Sequence, residues 1–143
     1  MNTIRTILKN KKSDEIWSVA PGQTVLEAIT LMAKLRIGAL LVMDGENLVG
    51  ILSERDYARK IILQGRRSRD TRVEEIMTRD VTTATRDMTA QHCLGIMTRG
   101  YFRHLPVIED GRVVGLVSIG DLVKMVIAEK EALINELQRY VTG

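Results

Sequence analysis

Two strings in the chain combine residue types that can hold an anion and a sugar: Gly50-Ile51-Leu52-Ser53-Glu54-Arg55-Asp56 and Gly115-Leu116-Val117-Ser118-Ile119-Gly120-Asp121. In each, Gly sits in an apolar run of strand character, where a missing side chain lets another backbone or a ligand approach closely. Ser then supplies a hydroxyl where a helix begins, and the first N–H groups of a helix, lacking partners, favour an anion such as phosphate. Asp follows one turn later. A carboxylate repels phosphate but accepts two hydrogen bonds from vicinal hydroxyls, as a ribose offers. Phosphate with ribose means a nucleotide. The same spacing fits a capping box, in which Ser and Asp satisfy their own helix. Duplication would copy a cap as faithfully as a site, so spacing leaves both readings open.

For catalysis, the sequence supports no set of nucleophile, base and orienting acid. Cys93 lies on an apolar stripe with Ala28 as its counterpart, which reads as a small core residue. His92 beside it reads as exposed. A single cysteine excludes an intramolecular disulfide, and His92 and His104 add too few ligands for a zinc cluster. The expectation is a protein that is not an enzyme, with no catalytic residue, metal or catalytic cofactor.

The elements that position the two strings come from an internal repeat. A shift of 65 residues lays Ile16–Val19 on Val81–Ala84, Thr24 on Thr89, Met32 on Met97, Leu40 on Leu105 and Gly50–Asp56 on Gly115–Asp121 without gaps. Each copy opens on a short β-branched stretch and a Thr placed to cap a helix. The helix bears a stripe at helical spacing: Val25, Ala28, Ile29 and Met32, repeated as Ala90, Cys93, Leu94 and Met97. Apolar runs around Asp44-Gly45-Glu46-Asn47 and Glu109-Asp110-Gly111-Arg112 read as strand, turn, strand. A second helix begins at Ser53 or Ser118. The expected fold is α/β (α+β): two β-α-β-β-α repeats packed with pseudo-twofold symmetry, since neither alone buries much core. The divisions are an N-terminal segment (1–15), first repeat (16–64), linker (65–80), second repeat (81–126) and C-terminal helix extension (127–143).

Composition narrows the class. With 143 residues, 45% hydrophobic and 27% charged, the chain is an ordinary globular unit and not a disordered tail. The apolar run Ala39–Met43 is far short of the roughly 18 residues a membrane span needs. The early charges preclude a secretory signal, so the expected compartment is cytoplasmic, with no membrane association. Aromatics are 3%, too few for the stacking platforms of single-stranded nucleic-acid binders, and the net charge of +3 demands no anionic partner. The stretch Gln64–Arg72 carries four arginines but also neighbouring acids, and reads as a solvated connector.

Together with Arg103-His104-Leu105-Pro106-Val107, the two Gly-to-Asp strings resemble the signatures of a CBS domain pair, the cystathionine-beta-synthase-type regulatory module, here similar to small stand-alone bacterial members. The resemblance runs from about Ile16 to Met125. It implies two clefts for an adenine nucleotide, AMP first, with ADP, ATP or NAD as alternatives, in a regulatory, energy-sensing role. It puts Asp56 and Asp121 on ribose hydroxyls and Ser53 and Ser118 near phosphate. Ser18, Val19 and Ala20, with Thr83 and Ala84, would line the adenine pocket; Ala39 and Leu40, with His104, Leu105 and Pro106, would close the opposite wall. The copies differ in their cations. Arg103 and His104 face Gly38 and Ala39 as counterparts, whereas Arg55 faces Gly120.

The final helix carries an apolar seam, Val126, Leu133, Leu137 and Tyr140, which predicts a homodimer, with Ile4, Ile7 and Leu8 as possible contributors. With no effector domain in these residues, output would pass through an unknown protein partner or through oligomer geometry. The alternatives are a nucleic-acid-binding protein using the arginines, and a structural dimer with vestigial clefts.

Overall fold

The computed structural model describes residues 2–11 and 16–142. Positions 12–15 of the expected N-terminal segment lie outside the described residues, as do Met1 and Gly143 at its two ends. The chain forms two compact units, residues 15–82 and residues 1–14 with 83–143. Its opening helix α1 (Ile4–Asn10) therefore belongs with the second repeat.

In the first unit β1 (Ser18–Val19) leads to α2 (Val25–Leu35), β2 (Ala39–Asp44), β3 (Asn47–Ser53) and α3 (Glu54–Tyr57). A π-helical turn, Ala58–Ile62, and a 3-10 turn, Ser68–Asp70, precede α4 (Val73–Ile76). The second unit has α5 (Ala90–Gly100), β4 (His104–Glu109), β5 (Arg112–Ser118) and α6 (Ile119–Thr142). The caps fall where the sequence places them. Thr24 Oγ1 accepts the Glu27 N–H at 3.1 Å and Thr89 Oγ1 the His92 N–H at 3.1 Å. Both helices end on a left-handed residue, Arg36 and Tyr101. Their buried stripes are Val25, Ala28 and Met32 in α2 and Ala90, Cys93 and Met97 in α5. Cys93 is thus a core residue, and burial raises its thiol pKa.

Within the first unit β1 runs parallel to β2 and β2 antiparallel to β3. The second unit pairs β4 with β5, and the strand expected over 81–84 shrinks to a single bridge between Ala84 and Val107. Proline is the cause. Leu41 donates its N–H to the Trp17 carbonyl at 3.3 Å, and the counterpart of Leu41 is Pro106, which has no N–H.

The stretch expected as a linker is largely structural. Thr71 is 2% exposed, and its carbonyl accepts the Val25 N–H at 2.8 Å. Val73, Ile76 and Met77 lie in the core of the first unit. Three arginines of the stretch meet carboxylates: Arg66 to Glu75 at 2.6 Å, Arg67 to Asp70 at 3.3 Å and Arg72 to Glu74 at 3.8 Å.

Helix α1 does for the second repeat what α4 does for the first. Thr3 bridges Thr89 as Arg72 bridges Thr24. Ile4 and Ile7 are buried in the second core, as Val73 and Ile76 are in the first. This corrects the expectation that Ile4 and Ile7 join a self-association seam. The seam also divides: Val126 packs on the core of its own unit, while Leu133, Leu137 and Tyr140 are 55%, 54% and 83% exposed. Ile127, Ile134 and Val141 widen the exposed face.

Candidate functional site

In the first unit the sheet register converges on the end where β3 becomes α3. Ala39 pairs with Ser53, and Ser18 lies beside Leu41, two residues further along β2. The Glu54 N–H donates to the Gly38 carbonyl at 3.0 Å, fixing the junction. Ser53 Oγ accepts the Asp56 N–H at 3.1 Å, and Asp56 Oδ2 accepts the Ser53 N–H and hydroxyl, each at 3.0 Å. The capping box is formed. Asp56 Oδ1 additionally accepts from Thr78 Oγ1 at 3.2 Å and meets Lys60 Nζ at 3.3 Å.

The second unit repeats the plan. His104 pairs with Ser118, and the Ile119 N–H donates to the Arg103 carbonyl at 2.8 Å. Ser118 Oγ accepts the Asp121 N–H at 3.2 Å, and Asp121 Oδ2 accepts the Ser118 N–H at 2.8 Å. Lys11 Nζ lies 3.0 Å from the same oxygen. Burial opposes ionisation of Asp121, but the Ser118 N–H and the Lys11 ammonium outweigh it and hold the carboxyl below its ordinary pKa.

Each junction therefore assembles a hydroxyl, a carboxylate and the start of a helix at one sheet edge. Ser18, Ala20 and Arg103 are exposed; Ser53, Arg55, Asp56, Thr83, His104, Ser118 and Asp121 are half-buried. Ala39 and Pro106 are buried, and Val19, Leu40, Ala84 and Leu105 belong to the two cores.

Spacing did not point to Lys11, Lys60 or Thr78. Under the repeat Lys60 falls on Met125, and matching α1 to α4 puts Lys11 on Asp80, so neither lysine recurs. Among the described residues no group of three or more His, Cys, Asp or Glu could hold a metal ion, and no helix is long and apolar enough to cross a membrane.

The model of the CBS domain matches this chain twice, over residues 8–63 and 73–128. A mitochondrial CBS domain-containing protein of Arabidopsis thaliana, CBSX3, is 38% identical over 149 residues, covering 99% of this chain and 72% of the relative. A protein with CBS domains from Burkholderia ambifaria is 50% identical, with a TM-score of 0.86 over 89% of this chain and 95% of that one. The CBS domain pair of protein MJ0100, solved in complex with 5′-methylthioadenosine and S-adenosyl-L-methionine, is 30% identical, with a TM-score of 0.77 over 90% and 98% of the two chains.

Proposed function

The chain belongs to the CBS-domain family, and from that premise we propose that it is a regulatory module that binds an adenine nucleotide, AMP first, and transmits occupancy to a partner. The supporting observation is the pair of Ser-x-x-Asp junctions, each with a half-buried carboxylate one turn beyond a helix start. The adenosyl ligands of the MJ0100 pair agree with this chemistry. The ribose hydroxyls would donate hydrogen bonds to Asp56 or Asp121. Phosphate would lie at the helix start, near Ser53 with Arg55 or near Ser118 with Arg103 and His104. ADP, ATP and NAD offer the same ribose and remain alternatives.

Binding energy becomes regulation only if the ligand prefers one conformation over another. Output would pass through a second copy joined by the exposed face of α6, or through another protein. The deciding experiment is to purify the protein from cells, denature it and identify the released small molecules by mass, then titrate the ligand-free protein with AMP by calorimetry. Release of an adenosyl compound, and saturable AMP binding, support the reading; no release and no binding of AMP, ADP, ATP or NAD remove it.

A further inference from the structure

Both motif carboxylates are clamped by a lysine to a helix from outside their own repeat. In the second unit Lys11, immediately after α1, places Nζ 3.0 Å from Asp121 Oδ2 and 2.6 Å from the Leu116 carbonyl of β5. In the first unit Lys60 places Nζ 3.3 Å from Asp56 Oδ1 and 2.9 Å from the Ile76 carbonyl at the end of α4. In one case the lysine rides on the packed helix and reaches the strand; in the other it stands beyond α3 and reaches the packed helix. Because the two come from non-corresponding positions, duplication did not copy the clamp.

We infer that Lys11 is an autoinhibitory clamp on the second candidate site: a ligand diol that spans both oxygens of the Asp121 carboxylate competes with the ammonium at Oδ2, and so loosens the C-terminal end of α1. This inference rests on the nucleotide-binding reading above. Oδ2 already accepts from the Ser118 N–H and the Lys11 ammonium, so a diol hydroxyl donating to that oxygen and the ammonium weaken each other's contact. Ile4 and Ile7 remain buried, which confines the release to the end of the helix. Coupling of this kind is reciprocal: whatever draws the N-terminal segment away raises affinity for the ligand by the same factor.

The test uses the full-length protein with AMP and, separately, 5′-methylthioadenosine, which keeps the ribose diol and lacks phosphate. Amide exchange over residues 8–11 should rise when either compound binds, while exchange in α5 does not. Lys11→Met should raise affinity for both compounds about two- to fivefold, the range expected for losing a partly exposed ion pair. Lys11→Arg, which keeps the charge, should stay near wild type. Binding with unchanged or slower exchange over residues 8–11 overturns the clamp alone, a readout independent of how the variants fold. Weaker AMP binding but normal 5′-methylthioadenosine binding in Lys11→Met also overturns it, making Lys11 a phosphate cation. No binding of either compound by the wild type removes the underlying nucleotide reading and the clamp with it.

Discussion

Met77 lies directly over Gly50: a Cβ added there would sit 2.6 Å from the Met77 Sδ and 3.0 Å from the Thr78 carbonyl. Gly115 stands in the same relation to Leu8, whose Cδ2 would be 2.5 Å away. The glycine of each motif thus makes room for the helix packed on its strand, which is the close approach that a strand glycine permits. Gly50→Ala should destabilise the protein by about 1–3 kcal/mol through overpacking. Gly115→Ala should cost less, because only the tip of a leucine side chain must move. Denaturant unfolding of both variants checks the order, and equal stability of Gly50→Ala and wild type would refute it.

Asp121 also predicts a response to acid. Its folded pKa is lowered, so its pairing contributes stability that is fully present above the unfolded value of about 3.9 and is lost as pH falls through the lower folded value. Wild type should exceed Asp121→Asn in stability at neutral pH, and the gap should close as pH falls below about 4. A gap that persists into strong acid contradicts this origin.

For ligand binding, Asp121→Asn and Asp56→Asn should each weaken AMP at their own site by about tenfold or more, since hydrogen bonds to a charged acceptor are worth roughly 1.5–3 kcal/mol. The tighter site is expected in the second repeat, where Arg103 and His104 add cationic character. Calorimetry on the two variants reads both claims. Wild-type AMP affinity in both would return the motif to the helix cap that the structure already displays.

Nucleotide should also raise thermal stability. AMP at about 100 times its dissociation constant should add roughly 2.7 kcal/mol if one site binds only the folded state. A melting temperature indifferent to AMP, ADP, ATP and NAD would count against binding.

The exposed face of α6 predicts self-association. Replacing Ile134 and Leu137 together by Asp should abolish a dimer while barely changing the melting of the monomer, because both side chains are about half exposed. Sedimentation at micromolar concentration is the check, and a monomeric wild type would defeat the proposal.

Much of this architecture was legible because the repeat carries its own signals: Thr24 and Thr89 as caps, the stripes of α2 and α5, and Ser53 and Ser118 at the strand ends. The packed helices were not. α4 and the buried face of α1 are too short to develop a helical period, so in sequence Val73 and Ile76 read as part of a connector and Ile4 and Ile7 as part of a self-association seam. Their match is visible only in hindsight, as Ile4-x-x-Ile7-Leu8 beside Val73-x-x-Ile76-Met77. Lys11 and Lys60 were hidden for another reason: a long side chain reaches its partner in space without leaving a spacing in sequence.

The membership of α1 in the second unit also bears on how the protein is made. A ribosome releases the N-terminus first, at roughly 5–20 residues per second. Yet Lys11 meets the Leu116 carbonyl only across a separation of 105 residues, and the Asn2 N–H meets Glu129 across 127. The first repeat has all its own elements once residue 82 has emerged. Helix α1 emerges before the first repeat yet must wait for the second, with Ile4 and Ile7 unsheltered, so it finds its place only after the repeat that follows it is complete.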